Sequence, residues 1–369
     1  MMERVQRVNI AVQPRSYEAW IESGLLARCG MHLRGMLTGN ERLFVVTIPT
    51  VRRKWGKKLT SALASADFDA KFVEMSDGER YKKLATIEVL AEKLSHLGAD
   101  RNSVIIAFGG GVVGDVAGLL ASIYMRGVEF IQVPTTMLAQ VDASIGGKTG
   151  VNLRAGKNLL GTFHQPRAVL IDPVVLSTLP EREFRSGLYE ALKCGVIGNA
   201  ELFLQFEHNK DKILKRDSAA LEWVIAESVK LKASVVSADE KEGGLRRVLN
   251  FGHTIGHALE AETGYRGLLH GEAVAWGMIA AAHIAEITRK TDAPTAERIR
   301  GAVLGLGPLP PLEMRTGSIL RRLQADKKTR NGIVHFVLPR QIGKVEVVKD
   351  VPEKAVIQAL HEIGGLSHR

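Results

Sequence analysis

The stretch Ser103-Val-Ile-Ile-Ala-Phe-Gly-Gly-Gly-Val-Val-Gly-Asp-Val-Ala-Gly-Leu-Leu120 decides how the first half of the chain is read. Residues 103–108 form a continuous apolar run of the kind found in parallel strands covered on both faces. The run meets three consecutive glycines, Gly109 to Gly111, and passes into an apolar helix pattern. Gly109, Gly111 and Gly114 satisfy G-x-G-x-x-G between a strand and a helix. In that context backbone N–H groups and a helix N-terminus face a pyrophosphate. A tight turn with close helix–strand packing would leave the same glycines, so the motif does not by itself separate the two readings. Two residues depart from the standard fingerprint. Glu129 stands where a ribose-binding acid would be sought, but it begins the next strand instead of ending it. Asp115 would repel a pyrophosphate and suits a hydroxyl, such as a ribose or a group at the nicotinamide side. The reading is a dinucleotide site outside the standard Rossmann pattern.

Outward from this stretch, strand and helix signals alternate. Short apolar runs at 43–48, 71–75, 130–133 and 168–171 read as strands, and 81–97 has helical spacing through Leu84, Ile87, Val89, Leu90, Leu94 and Leu97. Such alternation predicts an α/β layered domain with a parallel sheet. From about Pro180 long helical patterns take over, at 181–196, 218–237, 253–261 and 271–288. Two β-type runs at 333–338 and 344–348 flank Pro-Arg-Gln-Ile-Gly as a hairpin, and a helix at 353–363 closes the chain. A length of 369 residues suits two domains. The expected division is an α/β nucleotide-binding domain at 1–176 and a mostly helical domain at 177–369.

Hydrophobic residues make up 45% and charged residues 24%, which excludes disordered, collagen-like and disulfide-scaffold classes. The longest apolar stretches, such as 273–284, fall short of the ~18 residues of a membrane span. The opening MMERVQRVNIAV has no apolar signal core, so export is not expected. Cys29 and Cys194 form no CxxC pair and suit a reducing, cytoplasmic setting. Fifty Lys and Arg against 40 Asp and Glu leave a net charge of +10, which points to anionic partners. Nucleic acid would call for a basic cluster with aromatics, and the runs at 52–54, 321–322 and 327–328 contain none. Most of the surplus reads as a solubility feature.

The second half carries the residues with metal chemistry. His253 and His257 lie four apart on one helix face, without the intervening Glu of H-E-x-x-H. His270 and Glu190 extend the set. One carboxylate and two histidines with an open position make a catalytic-type zinc site. The competing reading makes His257 and His270 hydrogen-bonded core residues and pairs Glu190 with Lys193 on a helix surface. Around these lie cations: Lys148 in Gly-Gly-Lys-Thr-Gly, Lys157, Lys193, Lys232, Arg246 one turn before Asn250, and Lys327–Lys328. Each alone reads as a solvated charge. Together they suit a small polyanionic substrate. Gly-Gly-Lys-Thr is no P-loop, because position 142, where its first glycine would stand, is Asp.

These segments closely resemble the 3-dehydroquinate synthase family over nearly the whole chain. The resemblance rests on DGERYK (77–82), GGGVVGD (109–115), VPTTMLAQVDASIGGKTGVN (133–152), GKNLLGTFHQP (156–166), GLYEALKCG (187–195), ADEKEGGLRRVLNFGHTIGHALE (238–260), LHGEAVAWGM (269–278) and DKK (326–328). It implies an NAD-binding α/β domain, a helical domain and an active site in the cleft between them. It implies Glu190, His253 and His270 as ligands of zinc or cobalt, which frees His257 for the substrate. Implied NAD contacts are Asp77, Gly78, Glu79, Arg80, Tyr81, Lys82, Gly110, Gly111, Val112, Val113, Gly114, Asp115, Thr135, Thr136, Lys148, Lys157, Val175, Leu176, Ser177 and Thr178. Implied substrate contacts are Arg126, Lys148, Asn158, Lys193, Lys232, Arg246, Asn250, His257 and one of Lys327 or Lys328, with Asp142 near the nicotinamide end.

The implied enzyme is a phosphate-eliminating carbon–oxygen lyase of the shikimate pathway. It converts 3-deoxy-D-arabino-heptulosonate 7-phosphate to 3-dehydroquinate by transient oxidation, phosphate elimination, re-reduction and aldol closure. A homodimer is also implied. The chain departs from the family pattern at Ile48–Pro49 after the early strand, at Ala143, and at Tyr189 and Cys194 beside Glu190. The alternatives are a related sugar-phosphate cyclase, a metal-dependent polyol dehydrogenase of the glycerol-dehydrogenase kind, or a non-catalytic ligand sensor or nucleic-acid binder.

Overall fold

The computed structural model of the chain describes residues 5–264, 267–329, 334–349 and 351–367. Nine strands precede residue 172: β1 (Gln6–Ile10), β2 (Tyr17–Ile21), β3 (Leu43–Thr47), β4 (Ala70–Glu74), β5 (Val104–Gly109), β6 (Glu129–Pro134), β7 (Lys148–Leu153), β8 (Gly156–Phe163) and β9 (Ala168–Ile171). Seven of them form one sheet in the order β1-β2-β9-β6-β5-β3-β4. All neighbours in it are parallel except β1 and β2. Every residue of β5 is buried, which explains its unbroken apolar run. Side chains alternate along it. Val104, Ile106 and Phe108 enter one core cluster, with Leu43, Val45, Ile131 and Val133. Ile105 and Ala107 enter the other, with Phe44, Val46, Leu90 and Phe130.

Helix Gly111–Ile123 follows β5, as the glycine pattern implies, and strand β9 matches its expected range. The expected helix at 81–97 starts later, at Leu84, because Glu79–Tyr81 forms a separate 3-10 turn. The sequence pattern does not announce β1, β2 or the hairpin β7–β8. Only two residues of β1 are buried, and four consecutive residues of β8 are exposed, so neither shows a core-facing run. The hairpin also depends on a side chain being absent. A Cβ on Gly161 would stand 2.0 Å from the Thr149 carbonyl oxygen.

The chain divides into two compact units. The described residues up to Pro180, together with Leu221–Ser237, make the α/β unit; Glu181–Ala220 and the described residues from Ala238 onward make the second. A single division at 176 does not capture this. Most of helix Ser218–Ala238 belongs to the sheet unit, where the Ser237 hydroxyl accepts the Ala11 N–H at 2.9 Å and the Glu222 carboxylate accepts the Ser23 N–H at 2.8 Å.

The second unit is mostly helical, with a hairpin of β10 (His335–Gln341) and β11 (Lys344–Lys349) and a final helix Glu353–Ser367. Residue 333, the expected start of the hairpin, lies outside the described residues. Helix His270–Ile287 is buried on nearly every side, as expected for a helix that is apolar all round. Its first turn is tied to helix Glu181–Gly198. Arg182 grips the Glu272 carboxylate with two nitrogens at 2.6 and 2.7 Å, and Glu272 also accepts the Leu269 N–H at 2.7 Å. Next to it, a Cβ on Gly271 would lie only 1.8 Å from the Ser186 carbonyl oxygen, so the two backbones meet there without a side chain between them. Among the described residues no helix is long and apolar enough to cross a membrane.

Two glycines of this unit predict opposite outcomes. Gly271→Ala lowers stability by about 1–3 kcal/mol through overpacking. Gly301→Ala, inside helix Ala293–Gly305 with nothing within 4 Å of the new Cβ, raises it by about 0.5–1 kcal/mol. Urea denaturation midpoints of the two variants check both signs in the same unit.

Candidate active site

In the α/β unit the glycine turn and Thr135–Thr136 lie at the C-terminal ends of β5 and β6. The Thr135 N–H bonds to the Gly109 carbonyl at 2.9 Å, which brings Thr135 and Thr136 beside the glycine turn. A Cβ on Gly110 would stand 2.9 Å from the Thr136 methyl, so the close approach requires glycine. Val113 is buried in the core, and of the expected contacts in this turn it offers a ligand only its backbone.

Lys82 is the centre of the first polar network. Its buried ammonium donates to Asp115 Oδ2 and Asn158 Oδ1, both at 2.5 Å. Burial pushes the Asp115 carboxyl above its usual range, and the Lys82 charge pulls it back. The hairpin β7–β8 is stitched to the same turn. The Asn152 N–H donates to the Lys82 carbonyl at 2.8 Å, its amide donates to Glu79 at 2.7 Å, and its carbonyl oxygen accepts the Asn158 N–H at 2.9 Å. Asn158 takes a left-handed φ of 55°, strained for a residue with a Cβ. Segments 77–82, 111–115 and 148–158, far apart in sequence, thus meet through one lysine and two asparagines.

A second network joins Lys232 to Asp142. The buried Lys232 ammonium donates to the Asp142 backbone carbonyl at 2.5 Å and to Oδ1 at 2.8 Å. Val175, Leu176, Ser177 and Thr178 sit on the 3-10 turn Pro173–Thr178; its apolar pair is buried, and Thr178 is bonded to Lys54 and Trp55. Arg126 is exposed, in a turn where Met125 and Arg126 both have positive φ (47° and 71°). Lys148 is exposed at the start of β7 and Lys157 half-buried in β8.

The second unit brings Glu190, His253 and His270 together. Glu190 lies in helix Glu181–Gly198, and each histidine is the first residue of its helix. Glu190 Oε2 accepts from Lys193, one turn on, and both side chains are 1% exposed. The pair expected on a helix surface does form, but in the interior. Glu190 Oε1 is buried without a hydrogen-bond partner. It lies 3.6 Å from Nε2 of His253 and 3.6 Å from Nε2 of His270. Ligand atoms around a tetrahedral zinc stand about 3.3 Å apart, and the three ligand atoms here all lie within 4.8 Å of one another, close enough for one metal ion to draw them together.

The two rings are held by different groups. His253 Nδ1 contacts the Phe251 carbonyl oxygen at 3.1 Å, and His270 Nδ1 contacts Glu260 Oε2 at 3.1 Å. Burial, and then the Lys193 charge, hold the His253 imidazolium well below its ordinary pKa, so the ring is neutral and offers a lone pair. His257 is exposed, its ring centroid 5.2 Å from that of His253 and 5.9 Å from that of His270.

Arg246 is buried, donating to the Glu240 carbonyl at 2.6 Å, and Asn250 ends the same 3-10 turn, Leu245–Asn250. Sequence reasoning missed the residue that builds this loop. Asp239 accepts the N–H groups of Gly243, Gly244 and Arg246 at 2.6, 2.8 and 2.9 Å, which hold its carboxyl below the usual range. An Asp four residues ahead of Gly-Gly was the available signal. Glu260 was missed as well, and nothing in its spacing marks it. The side chains of Lys327 and Lys328 lie outside the described residues.

Family models for the N-terminal and C-terminal parts of 3-dehydroquinate synthase match residues 72–186 and 187–329. The chain belongs to the 3-dehydroquinate synthase family. It is 55% identical over 363 residues to the 3-dehydroquinate synthase of Koribacter versatilis, covering 98% of this chain and 99% of that one. With the enzyme of Solibacter usitatus it is 50% identical over 347 residues, 94% and 96% of the two chains. Among solved structures, 2-epi-5-epi-valiolone synthase from Streptomyces hygroscopicus subsp. jinggangensis 5008, with NAD+ and Zn2+ bound, is 32% identical with a TM-score of 0.87, covering 99% and 100%. A 2-deoxy-scyllo-inosose synthase complexed with carbaglucose-6-phosphate, NAD+ and Co2+ is 28% identical with a TM-score of 0.85, covering 97% and 100%. A probable glycerol dehydrogenase from Sinorhizobium meliloti, 17% identical with a TM-score of 0.60, shares the fold.

Asp239→Ala leaves the N–H groups of Gly243, Gly244 and Arg246 without their acceptor. Their amide hydrogen exchange is expected to accelerate about tenfold or more, while exchange in helix His270–Ile287 stays unchanged.

Proposed function

We propose that Glu190, His253 and His270 hold the divalent metal of the 3-dehydroquinate synthase reaction, and that the lysine networks of the α/β unit serve NAD and the sugar acid phosphate. The chain converts 3-deoxy-D-arabino-heptulosonate 7-phosphate to 3-dehydroquinate and phosphate, with NAD and one zinc or cobalt ion as cofactors. The observation that carries the assignment is the buried, unpartnered Oε1 of Glu190, facing two ring nitrogens that are themselves acceptors when neutral. Three lone pairs pointing at one place repel each other unless a cation stands there.

When bound, NAD supplies a reversible hydride acceptor, and the metal lowers the pKa of a coordinated hydroxyl. The protein's residues position and neutralise. Lys193 fixes the second oxygen of Glu190, so the carboxylate turns its free oxygen to the metal. Asp115, paired with Lys82, accepts a hydroxyl hydrogen bond on the nucleotide side. Asp142 is oriented by Lys232, and in the α/β unit the Lys232 ammonium, Lys148 and Asn158 serve the substrate's anionic groups. His257, exposed beside the metal trio, is placed to move a proton. These groups act mainly by holding one substrate through several steps, which lowers the entropic cost of each. A cytoplasmic homodimer is part of the same proposal, supported by the family resemblance and, for the compartment, by the buried Cys29 and Cys194, which form no disulfide.

Phosphate release from the heptulosonate phosphate tests the reading. It is expected to require NAD, to stop on chelation, and to proceed without net NADH at 340 nm. Accumulating NADH would favour a polyol dehydrogenase, and faster turnover of another sugar phosphate would favour a related cyclase. Glu190→Gln is expected to lose stoichiometric metal and to drop kcat more than about 100-fold, beyond what the loss of an outer-shell partner costs. Full activity with metal retained would refute the ligand set.

A further inference from the structure

We propose that Glu260 is a positioning residue for the metal, fixing the tautomer and ring plane of His270. The proposal rests on the reading of Glu190, His253 and His270 as ligands. Glu260 is 4% exposed, and its Oε2 lies 3.1 Å from His270 Nδ1. An ionised carboxylate only accepts hydrogen bonds, so the contact places the ring proton on Nδ1. The lone pair is thereby left on Nε2, the nitrogen 3.6 Å from the free oxygen of Glu190. The carboxylate also makes the imidazole a stronger donor to the metal, as outer-shell carboxylates do.

The two histidines differ in how this is achieved. His253 is oriented by the Phe251 backbone carbonyl, which no substitution removes. His270 depends on a side chain from the neighbouring helix His253–Glu262, the helix that also begins with the other histidine ligand. One helix therefore provides a ligand at its start and, two turns later, the group that aims the ligand of the next helix. A competing role exists in the geometry: His257, Glu260 and His270 can also bring three ligand atoms within 4.8 Å of one another. A cation bound there through His270 Nδ1 would have to displace the proton that Glu260 holds, and two cations would then share one imidazolate. The hydrogen-bonded arrangement favours the positioning role.

Cobalt titration of the metal-free full-length protein tests this, read by the visible absorption of the bound ion and by competition with a chelator. The wild type is expected to bind one cobalt per chain. Glu260→Ala is expected to bind one cobalt with about 10–100-fold lower affinity and an altered spectrum. Glu260→Gln retains an oxygen that accepts from Nδ1 and is expected to fall between the two, which keeps the test open if the alanine variant does not fold. Wild-type affinity and spectrum in the folded Glu260 variants, with metal lost in Glu190→Gln, would overturn the role of Glu260 alone. Wild-type binding in Glu190→Gln would instead overturn the ligand reading beneath it. Two cobalt ions per wild-type chain, one of them lost in Glu260→Ala, would replace the positioning role with a second metal site.

Discussion

Burying a carboxylate oxygen with no donor to meet it is costly, and the second unit is organised around one such atom, Glu190 Oε1. Lys193 compensates one oxygen of the pair and leaves the other facing nitrogen lone pairs. The surrounding helices hold this arrangement in place. The contact of Gly271 with the Ser186 backbone and the grip of Arg182 on Glu272 set where the His270 helix begins. Both histidines sit at helix N-termini, whose partial positive charge opposes a cation. The carboxylates of Glu190, Glu260 and Glu272, all buried, offset that field.

The α/β unit follows a related electrostatic logic. Its buried ammonium groups are already paired: Lys82 with Asp115 and Asn158, Lys232 with Asp142. A buried lysine without a partner would tend to lose its proton. Pairing holds these two side chains in place, so on the proposed assignment a polyanionic substrate would meet cations whose positions cost little further ordering.

What could be read from sequence followed burial and local period. The run 103–120 was legible because β5 is buried on both faces and its helix follows at once. Strand β8 was not, because its Leu159 and Leu160 point outward and mimic no core pattern. Helical spacing paired His253 with His257, yet the trio around Glu190 takes its second histidine from the next helix, a choice only tertiary packing makes. The motif resemblance supplied that choice where spacing left it open. Glu260 escaped because its role rests on a distance to a ring on another helix that no period relates to it, whereas Asp239 carried a local signal, four residues ahead of Gly-Gly, that went unread.

The return of Leu221–Ser237 to the sheet unit has a consequence for how such a gene can be altered. The polypeptide passes between the two units at 180–181, 220–221 and 237–238, so neither unit is a single stretch of coding sequence. A crossover with a relative at any one of these points would exchange part of a unit and leave mismatched surfaces inside it. Swapping either unit intact requires two coordinated exchanges, which ties the sheet unit and the helical unit together in inheritance.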